Sequence, residues 1–232
     1  MASMPTDQLP EGEAKRAAVQ SMFDTIAPRY DMVNRVMSFR MDVGWRRRTQ
    51  RSLDLQPGSV VLDLACGTGD FSVELENNGH HAIGVDLSFG MLSAARTGAP
   101  LIQGDLLQLP IAGGGVDAAV CGFALRNLVG LEPFFAELHR VVRPGGRIAL
   151  LDVSRPDNSI MRWGHGVYFN KVVPQVGGLL SDRGAYAYLP RSVSYLPPPE
   201  EMIEMLRRSG LIEVERFQLS GGITQLLTAT RP

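Results

Sequence analysis

Three acids and a glycine bend set the chemistry of this chain. The stretch Val60-Val61-Leu62-Asp63-Leu64-Ala65-Cys66-Gly67-Thr68-Gly69-Asp70 runs from a buried apolar strand through a glycine turn into a helix. At Gly67 and Gly69 the backbone lets a ligand approach closely, because a Cβ there would collide with it. Asp86 ends the next apolar run. A carboxylate in that place accepts hydrogen bonds from both ribose hydroxyls and repels a 2′-phosphate. Gly104-Asp105 ends a third run, within reach of an adenine amino group. A dinucleotide fingerprint needs a further glycine three residues after Gly69, where Ser72 stands, and Asp63 puts an acid where dinucleotide strands are apolar. The set favours S-adenosylmethionine over a nicotinamide dinucleotide.

The elements that must carry these residues follow from the periodicity. Strands are expected at 59–64, 81–85, 100–103, 116–122 and 147–153, with helices at 70–76, 88–96 and 131–142 between them. Ser88 reads as a helix N-cap, and Arg143-Pro144-Gly145-Gly146 as a stop before the fifth strand. This rhythm predicts an α/β fold with a mainly parallel sheet and helices on both faces. A helix at 200–209 and a terminal hairpin, 212–219 and 223–230 joined through Gly221-Gly222, complete it. Residues 1–17 read as a loose polar tail, and 18–56 as an N-terminal helical segment of one or two short helices broken near Pro28, within a single domain over 18–232. The aromatic stretch 156–199, with Val176-Gly177-Gly178-Leu179 inside it, is too apolar for a linker and reads as a partly helical cap.

Composition narrows the function classes. The 232 residues are 44% hydrophobic and 20% charged with net charge −1, which argues against a protein that coats nucleic acid. Cys66 and Cys121 make no disulfide framework or zinc site, and the four histidines are too scattered for a metal set. No apolar run nears the roughly 18 residues of a membrane span, and the first ten residues lack a signal-peptide core. A cytoplasmic protein is expected, with attachment to the inner membrane surface left open; nothing in the sequence fixes an oligomeric state.

At this point a resemblance enters. The motif order resembles class I methyltransferases over 59–232, and from Met22 onward the chain is similar to the ubiquinone/menaquinone C-methyltransferase family. The residues that carry it are Met22-Phe23-Asp24-Thr25-Ile26-Ala27-Pro28-Arg29-Tyr30-Asp31, Asn34-Arg35-Val36-Met37-Ser38 and Trp45-Arg46-Arg47. Leu125-Arg126-Asn127, Arg143-Pro144-Gly145-Gly146-Arg147 and Ala187-Tyr188-Leu189-Pro190-Arg191-Ser192 complete the set. The resemblance implies a seven-stranded Rossmann-like sheet with an antiparallel C-terminal strand, and methyl transfer from S-adenosylmethionine to a prenylated quinol, closest to demethylmenaquinol. It places cofactor contacts at Thr68, Asp86, Asp105 and Leu106, and at Gly122, where the family has serine. Asp152 stands for the family's glutamate, Ala124 for a glycine and Leu227 for a histidine.

A quinol carbon becomes nucleophilic when a neighbouring hydroxyl ionises, which at pH 7 costs about 4 kcal/mol for a phenol of pKa near 10. A cation about 4 Å away at an effective dielectric near 20 returns about as much. Arg126 is the candidate cation, and Asn127 holds a substrate oxygen or orients Arg126; the alternative is that Arg126 only pairs with a structural carboxylate. Tyr30 and Asp31 either close over the cofactor or cap a helix. Between positions 29 and 51 seven arginines and two acids are interleaved with Phe39, Trp45 and methionines, a pattern for an anionic bilayer or for a solvated helix packed on the domain. Two other functions stay open: methylation of another small aromatic metabolite, and a cofactor-binding scaffold without turnover. No Asn-Pro-Pro-Tyr motif points to nucleic acid.

Overall fold

The computed structural model describes residues 11–168, 175 and 183–232. Its centre is β1 (Val60–Leu64), buried on both faces and flanked by two parallel partners. An apolar strand in that position needs helices above and below it. The sheet has seven strands in the order β3-β2-β1-β4-β5-β7-β6. In chain order the strands are β2 (His81–Asp86), β3 (Leu101–Gln103), β4 (Val116–Gly122), β5 (Val142–Val153), β6 (Ile212–Leu219) and β7 (Thr224–Thr230). The first five are parallel, while β7 runs antiparallel to both β5 and β6. The order reverses between β1 and β4, and the crevice beyond their C-terminal ends is where such sheets bind ligands.

The strand alternation divides the core into two layers. Leu62 and Leu64 pack with Phe134, Phe135 and Leu138 of α6 (Leu131–Val141) on one face. On the other, Val61, Val120 and Leu151 meet Phe71 and Leu75 of α4 (Asp70–Asn77). Three helices precede β1: α1 (Gly12–Ile26), α2 (Tyr30–Met37) and α3 (Met41–Ser52). A short 3-10 turn at Ala27–Arg29 holds Pro28 between the first two. Further on come α5 (Phe89–Ser93), α7 (Ser159–Val167), α8 (Arg183–Ser192) and α9 (Pro199–Arg208).

Several boundaries differ from expectation, each for a local reason. The polar stretch expected as a tail to Ala17 is helical from Gly12, because Lys15 and the residues after it dock on the domain; residues 1–10 lie outside the described residues. The N-terminal segment holds three helices rather than one or two. α5 is shorter than expected, although Ser88 caps it by accepting the Met91 N–H at 3.0 Å. Within the expected cap, α7, α8 and a 3-10 turn at Val193–Tyr195 are helical, while Val176-Gly177-Gly178-Leu179 falls outside the described residues.

The stop expected at Arg143–Gly146 is instead the start of β5, with a register shift against β4 between Val116 and Ala118. Gly145 takes φ +74, and a Cβ on Gly146 would lie 2.5 Å from the Asp117 carbonyl oxygen. This contrast generates a prediction. Gly145→Ala meets open space and costs only the left-handed conformation, about 1–2 kcal/mol. Gly146→Ala forces backbone apart and costs about 3 kcal/mol or more, read from urea denaturation midpoints. Equal losses would contradict the packing account.

Candidate active site

The bend after β1 is built from left-handed residues, with Ala65 at φ 53, Gly67 at 56 and Gly69 at 88. The two glycines have different reasons. A Cβ on Gly67 would meet nothing within 4 Å, and Gly67 lines a cavity of about 550 Å³ at the switch point. A Cβ on Gly69 would instead lie 2.7 Å from the Thr97 methyl. Gly69 therefore has a packing reason of its own at the head of α4, apart from any ligand.

Asp86 closes this bend from the neighbouring strand. One carboxylate oxygen accepts the Gly67 N–H at 2.8 Å and the other the Ser88 N–H at 2.8 Å. Burial pushes its carboxyl up from the ordinary value, while those amides draw it back. Asp63 lies beneath, 1% exposed, and accepts a 2.7 Å hydrogen bond from the Ser72 hydroxyl. Ser72 occupies the place of the missing third glycine, so the residue that departs from the dinucleotide pattern is the one that satisfies Asp63. Asp105 is engaged as well: it accepts the Leu107 N–H at 2.9 Å and pairs with Arg16 at 3.1 Å, beside buried Leu106. A Cβ on Gly122 would lie 2.6 Å from the Phe71 ring, so the ring fills the room that a serine there would need.

The N-terminal helices form the cavity's outer wall. Along α1, Lys15 donates to the Leu128 carbonyl at 2.6 Å and sits 3.6 Å above the Tyr195 ring, and Gln20 donates to the Leu87 carbonyl at 3.2 Å. Asp24 accepts the Ser88 hydroxyl at 2.6 Å and the Gly90 N–H at 2.9 Å. From α2, Asp31 accepts the Thr68 hydroxyl. On α3, Arg46 bridges Asp42 at 2.8 Å and Asp70 at 2.9 Å. The sequence reading missed Arg16 and Lys15, although the spacing Lys15, Val19, Met22, Ile26 continues the helical stripe backwards.

The opposite wall follows β4. A 3-10 turn at Leu125–Asn127 brings Arg126 and Asn127 to the cavity with Tyr30. Arg126 is 6% exposed; it donates to the Phe123 carbonyl at 2.7 Å and to fully buried Asp152 at 2.5 Å. The pairing with a structural carboxylate is thus present, and Arg126 still lines the cavity. Burial raises the Tyr30 phenol above its ordinary value, with the Arg126 charge acting the other way. Tyr188 of α8, another residue not singled out for the site, donates to Asn127 Oδ1 at 3.3 Å. Of the departures from the family pattern, Gly122 and Ala124 line the cavity, whereas Leu227 packs in the core beyond it. Burial raises both cysteine thiols, so neither is ionised near neutrality.

The donor set fits S-adenosylmethionine. Six acids line the cavity (Asp31, Asp42, Asp63, Asp70, Asp86 and Asp105), against the guanidinium groups of Arg16, Arg46 and Arg126. That excess suits a cationic sulfonium ligand and opposes a pyrophosphate. Asp63 carries a prediction. Its carboxyl is pushed up to about 7, first by burial. Between about pH 4 and pH 7 the folded protein therefore holds a proton that the unfolded chain has lost, so stability falls as pH rises through that window. Asp63→Asn removes this term: urea midpoints of the ligand-free proteins should diverge in favour of the variant across the window and stay parallel above it. A constant difference contradicts the assignment.

Comparison with known proteins agrees with this geometry. The chain is 36% identical to a demethylmenaquinone methyltransferase of Desulfitobacterium hafniense over 95% of its own length and 92% of the relative's. It is 38% identical to the ubiquinone/menaquinone biosynthesis C-methyltransferase UbiE of Syntrophotalea carbinolica, over 90% and 92%. Among solved structures, a SAM-dependent methyltransferase of Thermotoga maritima superposes with TM-score 0.67 at 19% identity, covering 92% of this chain and 99% of that one, and so shares the fold. Residues 11–231, which contain the bend, the acid-lined cavity and the Arg126 wall, match the ubiE/COQ5 methyltransferase family, and the chain belongs to that family.

Proposed function

We propose that this protein methylates a ring carbon of a prenylated quinol of the demethylmenaquinol type, working from the aqueous side of the membrane that carries the substrate. The observation that carries the reading is that Tyr30, Arg126 and Asn127 line the same cavity as the donor bend, together with Trp45, Phe123 and Ile223. The names of the relatives support the same acceptor. S-adenosylmethionine, when bound, supplies an electrophilic methyl group. Gly67 and Thr68 would face it from the bend, Asp86 would take its ribose, and Asp105 with Leu106 its adenine. Asp63 and Gly122 would stand behind its reactive end.

The residues of the opposite wall then act on the acceptor. Asp152 offsets part of the Arg126 charge, so a lone-cation balance for phenolate formation no longer holds. Hydrogen bonds make up the difference. The Tyr30 phenol, kept protonated by burial, is a donor at neutral pH, and Arg126 donates beside it. Charge-assisted hydrogen bonds contribute about 1.5–3 kcal/mol each, so two of them match the roughly 4 kcal/mol needed. Arg126 cannot serve as the base, and the substrate proton leaves to water. Asn127, fixed by Tyr188, orients the quinol oxygen; the ring carbon bonds to the methyl as the methyl–sulfur bond breaks, and the ring C–H proton is then lost to water. A different small aromatic acceptor would use the same wall but not need the membrane.

Labelled methyl groups should pass to a short-chain demethylmenaquinol, and transfer only to a soluble non-quinone phenol would overturn the acceptor. Arg126→Ala strands Asp152 without its cation and should cost about 3–5 kcal/mol of stability. Arg126→Lys keeps the charge and is the cleaner probe. Its kcat should fall about a hundredfold while donor affinity stays within twofold of wild type. An equal fall in donor affinity would show that Arg126 serves the cofactor instead.

A further inference from the structure

A second cleft, of about 740 Å³, lies on the outer side of α2. It shares only Asp31, Phe39 and Thr68 with the first cavity. Met32 and Val36 stand one turn apart along α2, Phe39 follows in the turn after it, and the three are 50%, 49% and 72% exposed. Arg35, Arg40 and Arg96 stand beside them.

The chain holds this ridge out at a cost. Phe39 and Arg40 are successive non-glycine residues at φ 50 and 63, a left-handed pair disfavoured for side chains with a Cβ. The turn is fixed by the Arg40 N–H to the Arg35 carbonyl at 3.0 Å and by the Ser38 hydroxyl to Asp42 at 2.7 Å. Phe39 also leans on Tyr168, ring centres 5.8 Å apart, and the Tyr168 hydroxyl donates to the Met37 carbonyl at 2.6 Å. The aromatic tip is therefore a fixed feature at the rim of the donor cavity.

Charge completes the pattern. The arginine-rich segment does not present one basic face: Arg46 is enclosed by Asp42 and Asp70, Arg47 reaches Glu74 and Arg48 lies over Phe217. Arg35, half-exposed, pairs with Asp70 at 3.3 Å. Among the described residues no ion pair reaches Arg40 or Arg96, and both face the exposed apolar stripe. Arg40 and Arg96, next to the exposed apolar side chains of Met32, Val36 and Phe39, match phosphates above an acyl layer.

We propose that this ridge docks the protein on an anionic phospholipid bilayer. Met32, Val36 and Phe39 enter the headgroup boundary, while Arg40 and Arg96 meet lipid phosphates. Because Phe39 belongs to both rims, docking sets the mouth of the donor cavity against the membrane. The proposal rests on the prenylated-quinol reading for its purpose but not for its test.

The test uses the full chain, sedimented with phosphatidylcholine vesicles that either contain or lack about a third phosphatidylglycerol. Wild type should partition onto the anionic vesicles and be released by salt. Arg40→Gln/Arg96→Gln should lower that partition about thirtyfold, and Met32→Ser/Val36→Ser should lower it about tenfold. All four positions lie outside the donor cavity, so both variants should keep wild-type turnover on a water-soluble short-chain quinol and lose it on a long-chain quinol in vesicles. Equal partition onto neutral vesicles, or unchanged partition of the variants, overturns the docking surface. Failure to sediment while the short-chain quinol is methylated also overturns it, leaving the enzyme reading intact. Docking with no methylation of either quinol supports the surface and overturns the acceptor.

Discussion

The structure depends on one carboxylate and the two backbone amides it holds. Asp86 takes the Gly67 N–H with one oxygen and the Ser88 N–H with the other. That ties the bend after β1 to the end of β2 and to the head of α5. Ser88 in turn gives its hydroxyl to Asp24, so α1 is fixed to the same point. A buried carboxylate without such donors would neutralise or unfold its surroundings. Supplied with them, it lines the cavity beside the bend. The rim of the site and its floor are thus held by the same group.

The opposite wall is organised by a second buried carboxylate. Asp152 fixes Arg126 by an ion pair from which both partners are nearly excluded from water, and Arg126 also grips the Phe123 carbonyl. Such a pair adds little net stability, but losing one partner is costly. Its value lies in placing a donor without leaving a mobile cation. Tyr30 arrives from the N-terminal segment and Tyr188 from the cap, so this side of the cavity is complete only when three distant stretches of chain have closed on the sheet.

Much of this was legible in sequence because local rules and tertiary packing agree there. The strand-bend-helix pattern placed β1, Gly67 and α4, and the acids at strand ends marked the cavity before any contact was known. The misreadings have physical sources. The packing reason for Gly69 was hidden because its neighbour Thr97 lies far along the chain. Arg143–Gly146 carries stop signals that a bulged strand also uses. Residues 12–17 look soluble because Lys15 and Arg16 are charged, but their partners, Leu128 and Asp105, are over eighty residues away. For the arginines from 29 to 51 the sequence left a bilayer surface or a helix packed on the domain open, because the acids on α3 and α4 that take up several of them individually are placed only by tertiary packing.

Calorimetric titration of the folded protein with S-adenosylmethionine tests the central claim most directly, with Asp86→Asn and a nicotinamide dinucleotide as comparisons. The account predicts saturable heat for wild type, affinity at least tenfold weaker in the variant, and none for the dinucleotide. No heat from wild type, or equal affinity after the Asp86 substitution, would contradict it.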